Sequence, residues 1–104
     1  MTIHEIQAIV CRDYGVSLLD LTSRRRDRAI IPPRQLAMWL CRHTTPSSLP
    51  EIGRAFGKRD HTTVMHAMQR IEARLAADRM FAIRVLRLRR TVESGETAGR
   101  RAVA

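Results

Sequence analysis

The sequence predicts an all-α domain of about six helices arranged around a central helix-turn-helix. Three observations predict it. Apolar residues recur at helical spacing along most of the chain, and no run alternates as a strand would. Capping residues, prolines and glycines divide the chain into short helical segments. One stretch, Ser48 to Ala67, carries start, stop and restart signals for two helices joined by a tight turn.

The elements follow in order. Thr2 and Glu5 form a capping box for a helix over residues 3–14, whose apolar face is Ile3, Ile6, Ile9, Val10 and Tyr14. Gly15 stops it, and Ser17 caps a short second helix carrying Leu18, Leu19 and Leu21. The segment Ser23-Arg-Arg-Arg-Asp-Arg28 has no periodicity and reads as a loop, because Pro32-Pro33 disfavours helix just before it. The two prolines open a third helix with an inner stripe of Leu36, Ala37, Leu40 and Cys41, flanked by Met38 and Trp39. Trp39 reads as core or partly buried rather than as an exposed stacking surface. Arg34, Gln35 and Arg42 are expected towards the outer side. Thr44 to Ser47 is a loop.

Ser48 and Glu51 make a second capping box, with Pro50 in the first turn. Ile52 and Phe56 share a face, and Gly57 ends the helix. Asp60 caps the next helix, where Val64, Met68, Ile71 and Leu75 form one stripe. His61, Thr62, Thr63 and His66 occupy the opposite face of its first turns. Asp78 caps a last helix with the stripe Phe81, Val85, Leu88 and Val92. Its arginines (79, 84, 87, 89 and 90) read as a solvated face. Residues 1–92 are expected to form the domain, and 93–104, small and polar, a disordered tail.

Charge narrows the function. The 104 residues carry a formal net charge of +9, and residues 91–104 are balanced, so the excess lies in the folded part. A domain this basic expects a polyanion. No apolar run approaches the roughly 18 residues of a membrane span, so nucleic acid is favoured over membrane. The N-terminus lacks the basic and apolar regions of a signal peptide, which implies a cytoplasmic protein. Lys58 is the sole lysine; every other basic residue is arginine, whose planar fork suits phosphate and narrow minor grooves. Cys11 and Cys41 lie among apolar residues and read as small buried hydrophobes. Cys41-x-His43 is too tight for a structural zinc pair, and no cofactor is expected. Nothing clusters around Asp60, His61 or His66 as a nucleophile or metal site would, so the chain reads as no enzyme.

The residues also resemble a family. Ser48-Leu-Pro-Glu-Ile-Gly-x-x-Phe-Gly-x-Arg-Asp-His-Thr-Thr-Val-x-His-Ala closely resembles the C-terminal DNA-binding domain of DnaA, the bacterial replication initiator, a Trp-repressor-like helix-turn-helix. The resemblance extends back through Pro33-Arg34-Gln35-Leu36-Ala37-Met38, Arg24-Arg25-Arg26-Asp27-Arg28 and Thr2-Ile3-x-x-Ile6-Gln7, covering residues 2–90. It implies base contacts in the major groove from Asp60, His61 and Thr62, with Thr63 beside them, and a minor-groove contact from Arg26. Arg34 and Gln35 match family contacts to the DNA backbone. It also implies a target of the TTATCCACA type, A·T-rich for the arginine and CACA for the recognition helix.

Residue chemistry agrees. Asp60 can accept from a cytosine or adenine amino group, or simply cap its helix. His61 can donate to guanine N7 or O6, and the threonine methyls can touch a thymine methyl. His66 can reach a phosphate or stand as an exposed helix histidine. Further backbone candidates are Arg24, Arg28, Arg42, Lys58, Arg59, and the helix start at Ser48, Leu49 and Pro50, whose N–H groups can face a phosphate. One chain holding both grooves would bind as a monomer. The family's ATPase domain is absent, with no GxxxxGK[ST] sequence. The polar tail and the departures from the family pattern favour the expectation of a small protein made of this domain alone, over an excised piece of an initiator. Lys58 stands where a second glycine is usual, which should stiffen the turn. Pro32 replaces a basic residue. The principal function expected is double-stranded DNA binding at DnaA boxes, modulating initiation or transcription. The alternative is an interaction module for the initiator or one of its regulators.

Overall fold

The computed structural model describes residues 1–95. Six helices follow one another: α1 Ile3–Tyr14, α2 Leu18–Leu21, α3 Ile31–Thr44, α4 Leu49–Ala55, α5 His61–Ala77 and α6 Arg79–Glu93. Among the described residues there is no strand. Glu93 completes α6, and Ser94 and Gly95 turn back on it through N–H bonds to Arg90 and Val92. The rest of the expected tail, 96–104, lies outside the described residues.

Each start signal acts as anticipated. Thr2 and Ser48 head reciprocal capping boxes with Glu5 and Glu51. Ser17, Asp60 and Asp78 accept from the first-turn amides of α2, α5 and α6. These caps satisfy donors that a helix start otherwise leaves orphaned.

The centre of the molecule is α3, which packs against α1, α4, α5 and α6. Leu36, Ala37, Leu40 and Cys41 are fully buried, and Met38 and Trp39 join them. The face is wide because α3 has neighbours on nearly every side. Trp39 meets its polar requirement at the rim of the core, donating from Nε1 to Glu72 of α5 at 2.9 Å. Both cysteines are buried and unpaired. On α2 only Leu21 turns inward; Leu19 remains 78% exposed, so four residues anchor through one side chain.

The α6 arginines are not merely solvated. Arg84 and Arg87 both pair with Asp13 of α1, at 2.8 and 3.1 Å. Arg84 also lies over the Tyr14 ring, and Arg89 over Trp39. Long arginine stems here tie α6 to α1 and α3 while their heads stay at the surface.

Two glycines make the helix-turn-helix possible. A Cβ at Gly53 would sit 2.0 Å from the Arg59 carbonyl oxygen, so the chain passes too close for any side chain. Gly57 has φ 89°, and a Cβ there would meet the Thr22 carbonyl oxygen at 2.3 Å. The turn is therefore pressed against the segment after α2. Gln7 secures the far end: buried on α1, it donates to the Ala55 carbonyl at 3.0 Å, closing the C-terminus of α4.

Candidate nucleic-acid interface

Asp60 ends the turn and begins α5. One carboxylate oxygen accepts from the Thr62 and Thr63 amides, at 2.7 and 3.2 Å. The Thr63 and then the Thr62 hydrogen bond hold this carboxyl below the usual aspartate range. Of the two roles open to Asp60, the cap is thus occupied. His61, Thr62, Thr63 and His66 are exposed, while Val64, Ala67 and Ile71 face the core. The polar face is the free one because the apolar stripe has turned away from it.

The arginine loop lies beside this face. Arg25 turns to its own neighbours, pairing with Asp20 at 3.1 Å and with Asp27. Arg24, Arg26 and Arg28 remain exposed. A crevice of about 300 Å³ separates the loop from the helices, lined by Arg24, Arg26, Gln35, Arg59 and Thr63 among others. It brings together residues of every expected class: Arg26 for the minor groove, Arg24, Gln35 and Arg59 for the backbone, and Thr63 of the recognition helix.

Arg34 departs from expectation. Placed on the outer side and as a backbone contact by the sequence, it is only 5% exposed. Its Nε donates to the Leu21 carbonyl at 2.8 Å, one terminal nitrogen to Arg25 at 2.7 Å, and the other to Asp20 and Ser23 at 3.0 and 3.1 Å. Four carbonyls absorb its donors and no carboxylate faces it. Burial, and then the Arg59 charge, pull its pKa down to about 10, still charged at neutral pH. The cause of the misplacement is its partner: the open carbonyls at the end of α2 are 9 to 14 residues away and have no sequence signature.

Arg59 is half-committed. It donates to the carbonyls of Phe56 and, at 2.7 Å, of Ser23. Burial, then repulsion from Arg24 and Arg26, lower its pKa. Like charges gathered around one crevice hold a place for an anion.

The remaining candidates divide. Gln35 is half-buried beside the crevice. Arg42 is exposed and donates to the Ser47 carbonyl at 3.1 Å, steadying the approach to α4. At the start of α4 the Ser48 N–H is taken by Glu51 and Pro50 has no N–H. Leu49 therefore supplies the amide at that helix end, not all three residues. Lys58 is exposed at φ 60°, so the turn accepts lysine in a left-handed conformation. Two residues escaped the sequence reading. Gln69 and Arg70 line a second groove with Gln35 and His66. Their spacing of three and four from His66 could have found them.

Within this geometry the class is a basic helix-turn-helix domain with an exposed polar recognition helix. The sequence matches the family described as "Bacterial dnaA protein helix-turn-helix" over residues 3–71. It is 54% identical over 90 residues to the chromosomal replication initiator protein DnaA of Brucella abortus, covering 86% of this chain and 18% of that protein. Against DnaA of Caulobacter sp. strain K31 the figures are 56% over 78 residues, 75% and 16%. A crystal structure of a DNA replication initiation factor superimposes with a TM-score of 0.81 at 34% identity, covering 89% of this chain and 28% of that one. The chain belongs to the bacterial DnaA helix-turn-helix family, and it spans under a fifth of the length of these two DnaA relatives. Among the described residues no group of three or more His, Cys, Asp or Glu side chains could hold a metal. No described helix is long and apolar enough to cross a membrane.

Proposed function

We propose that this chain binds double-stranded DNA as a monomer at DnaA-box-type sites, reading both grooves without ATPase or other enzymatic activity. The observation that carries the reading is the shared crevice, which sets Arg26 beside the exposed face of α5. Arg26 enters the minor groove over the A·T-rich part of the site, where narrowness concentrates negative potential. His61, Thr62 and Thr63 meet base edges in the adjacent major groove, and Asp60 positions them as their cap. Gln35, Arg24, Arg28, Arg42, Lys58, Arg59, His66, the Ser48 side chain and the Leu49 amide hold phosphates. Occupying such boxes in the nucleoid would modulate replication initiation or transcription.

Fluorescence anisotropy with a TTATCCACA duplex and a scrambled duplex, at about 150 mM salt, tests the reading. A preference of about a hundredfold or more supports it; specific DNA binders typically reach about a thousandfold or more over non-specific DNA. Equal, weak binding to both duplexes overturns it. His61→Ala and Thr62→Ala should each cost about 1–3 kcal/mol and relax specificity at one base pair. Neutralising about six phosphates would give a log K against log[salt] slope near −5.

A second reading, an interaction module, rests on the outward side of α6, where Met80, Ile83 and Leu86 are exposed. It predicts that His61→Ala is tolerated in cells while changes on that side of α6 are not.

A further inference from the structure

We infer that Arg34 is a positioning residue: its guanidinium locks the segment 20–25 against α3 so that Arg26 and the recognition helix keep a fixed spacing across the two grooves. The inference rests on the box-reading function proposed above and assigns within it a role that is not a DNA contact.

Three clamps meet on the segment. Arg34 reaches from the first turn of α3 to four of its carbonyls, those of Asp20, Leu21, Ser23 and Arg25. Arg59 reaches from the helix-turn-helix to the Ser23 carbonyl as well. Gly57, in the turn itself, lies against the Thr22 carbonyl with no room for a Cβ. Ser23 therefore joins α3 and the turn before α5 through a single carbonyl oxygen. Arg24 within this clamped segment and Arg26 directly after it line the crevice shared with Thr63.

The physical need is clear. A loop of like charges, left alone, would spread and sample many positions. Each would place Arg26 differently relative to α5, and contact with the minor groove would then carry an ordering cost. A buried guanidinium bonded to backbone carbonyls holds the loop whatever its side chains are. Lysine cannot substitute, because one ammonium cannot present donors in a planar fork.

The test uses Arg34→Lys, Arg59→Lys, Arg26→Ala and the Arg34→Lys/Arg26→Ala double variant. Each is titrated with the TTATCCACA duplex, with one whose TTAT pairs are replaced by G·C pairs, and with one whose CACA is altered. In Arg34→Lys the preference for the A·T half should fall about tenfold, the scale of one mismatched pair, with discrimination at CACA retained. The double variant should bind like Arg26→Ala. Losses that add, equal weakening on every duplex, and a salt slope flatter by about one, the signature of a lost phosphate contact, overturn the positioning role.

A second measurement does not need DNA. Trypsin cleavage after Arg24, Arg25, Arg26 or Arg28 should quicken severalfold in Arg34→Lys and Arg59→Lys, relative to cleavage elsewhere in the same molecule. Unchanged loop cleavage overturns the inference. Quickened cleavage in a chain that ignores the box keeps the clamp and removes the box-reading function instead.

Discussion

Lys58 sits at φ 60°, the left-handed region that costs a residue with a Cβ about 1–2 kcal/mol. Backbone strain of this kind persists where the side chain is used or the surroundings enforce it. Lys58→Gly should therefore raise stability by about 1 kcal/mol in denaturant titration, while box binding weakens and the salt slope flattens by about one. At this scale, legibility in the sequence depended on how far away a residue's partner lies. Asp60, Ser48 and Thr2 cap amides within three positions, and each was evident from its spacing. Arg34 and Gln7 serve carbonyls far along the chain, and neither could be placed. Of the two, the sequence placed Arg34 on the outer side and assigned Gln7 no position.

Helix by helix, the motif depends on close passage and on caps. Gly53→Ala would drive a Cβ into the Arg59 carbonyl oxygen. We expect a loss of about 1–3 kcal/mol, as for an overpacked core, with box affinity falling in step because α4 no longer seats α5. The caps add a pH dependence. The Asp60 and Glu51 carboxyls are both held low, the first by the Thr63 and Thr62 amides, the second by the Ser48 backbone N–H and then its side chain. A carboxyl whose pKa is lower folded than unfolded stabilises the fold above its unfolded value and loses that contribution as pH falls through its folded value. Thermal midpoints should thus hold steady down to about pH 5 and decline below about pH 4, near the unfolded carboxylate values. Asp60→Asn, which caps without titrating, should decline less over the same range.

For the whole molecule, the arrangement around α3 governs what solvent reaches. Cys41 is fully buried, and burial pushes its thiol up to about 12. Labelling with a thiol reagent at neutral pH should proceed only through opening of the fold, so its rate should track global stability across the variants above. Rapid labelling of the native chain would contradict a closed core. At the same scale, the net charge of +9 is not evenly used. Arg84, Arg87 and Arg89 are engaged with Asp13, Glu93 and aromatic rings. Arg24, Arg26 and Arg28 of the loop and Lys58 in the turn before α5 are left to present charge together.

The sequence by itself determined the six helices, their caps, most of the stripe the longer helices bury and the exposure of His61, Thr62 and Thr63. These follow from periodicity and from hydrogen bonds a few residues long, which the order of residues encodes directly. The tertiary structure alone decided which arginines face outward. Arg25 pairs within its loop, Arg34 disappears into carbonyls, Arg59 divides between backbone and crevice, and Arg24 and Arg26 line that crevice. An arginine is amphipathic and long enough to serve any of these ends. Which one it serves is set by the polar groups that packing brings within its reach.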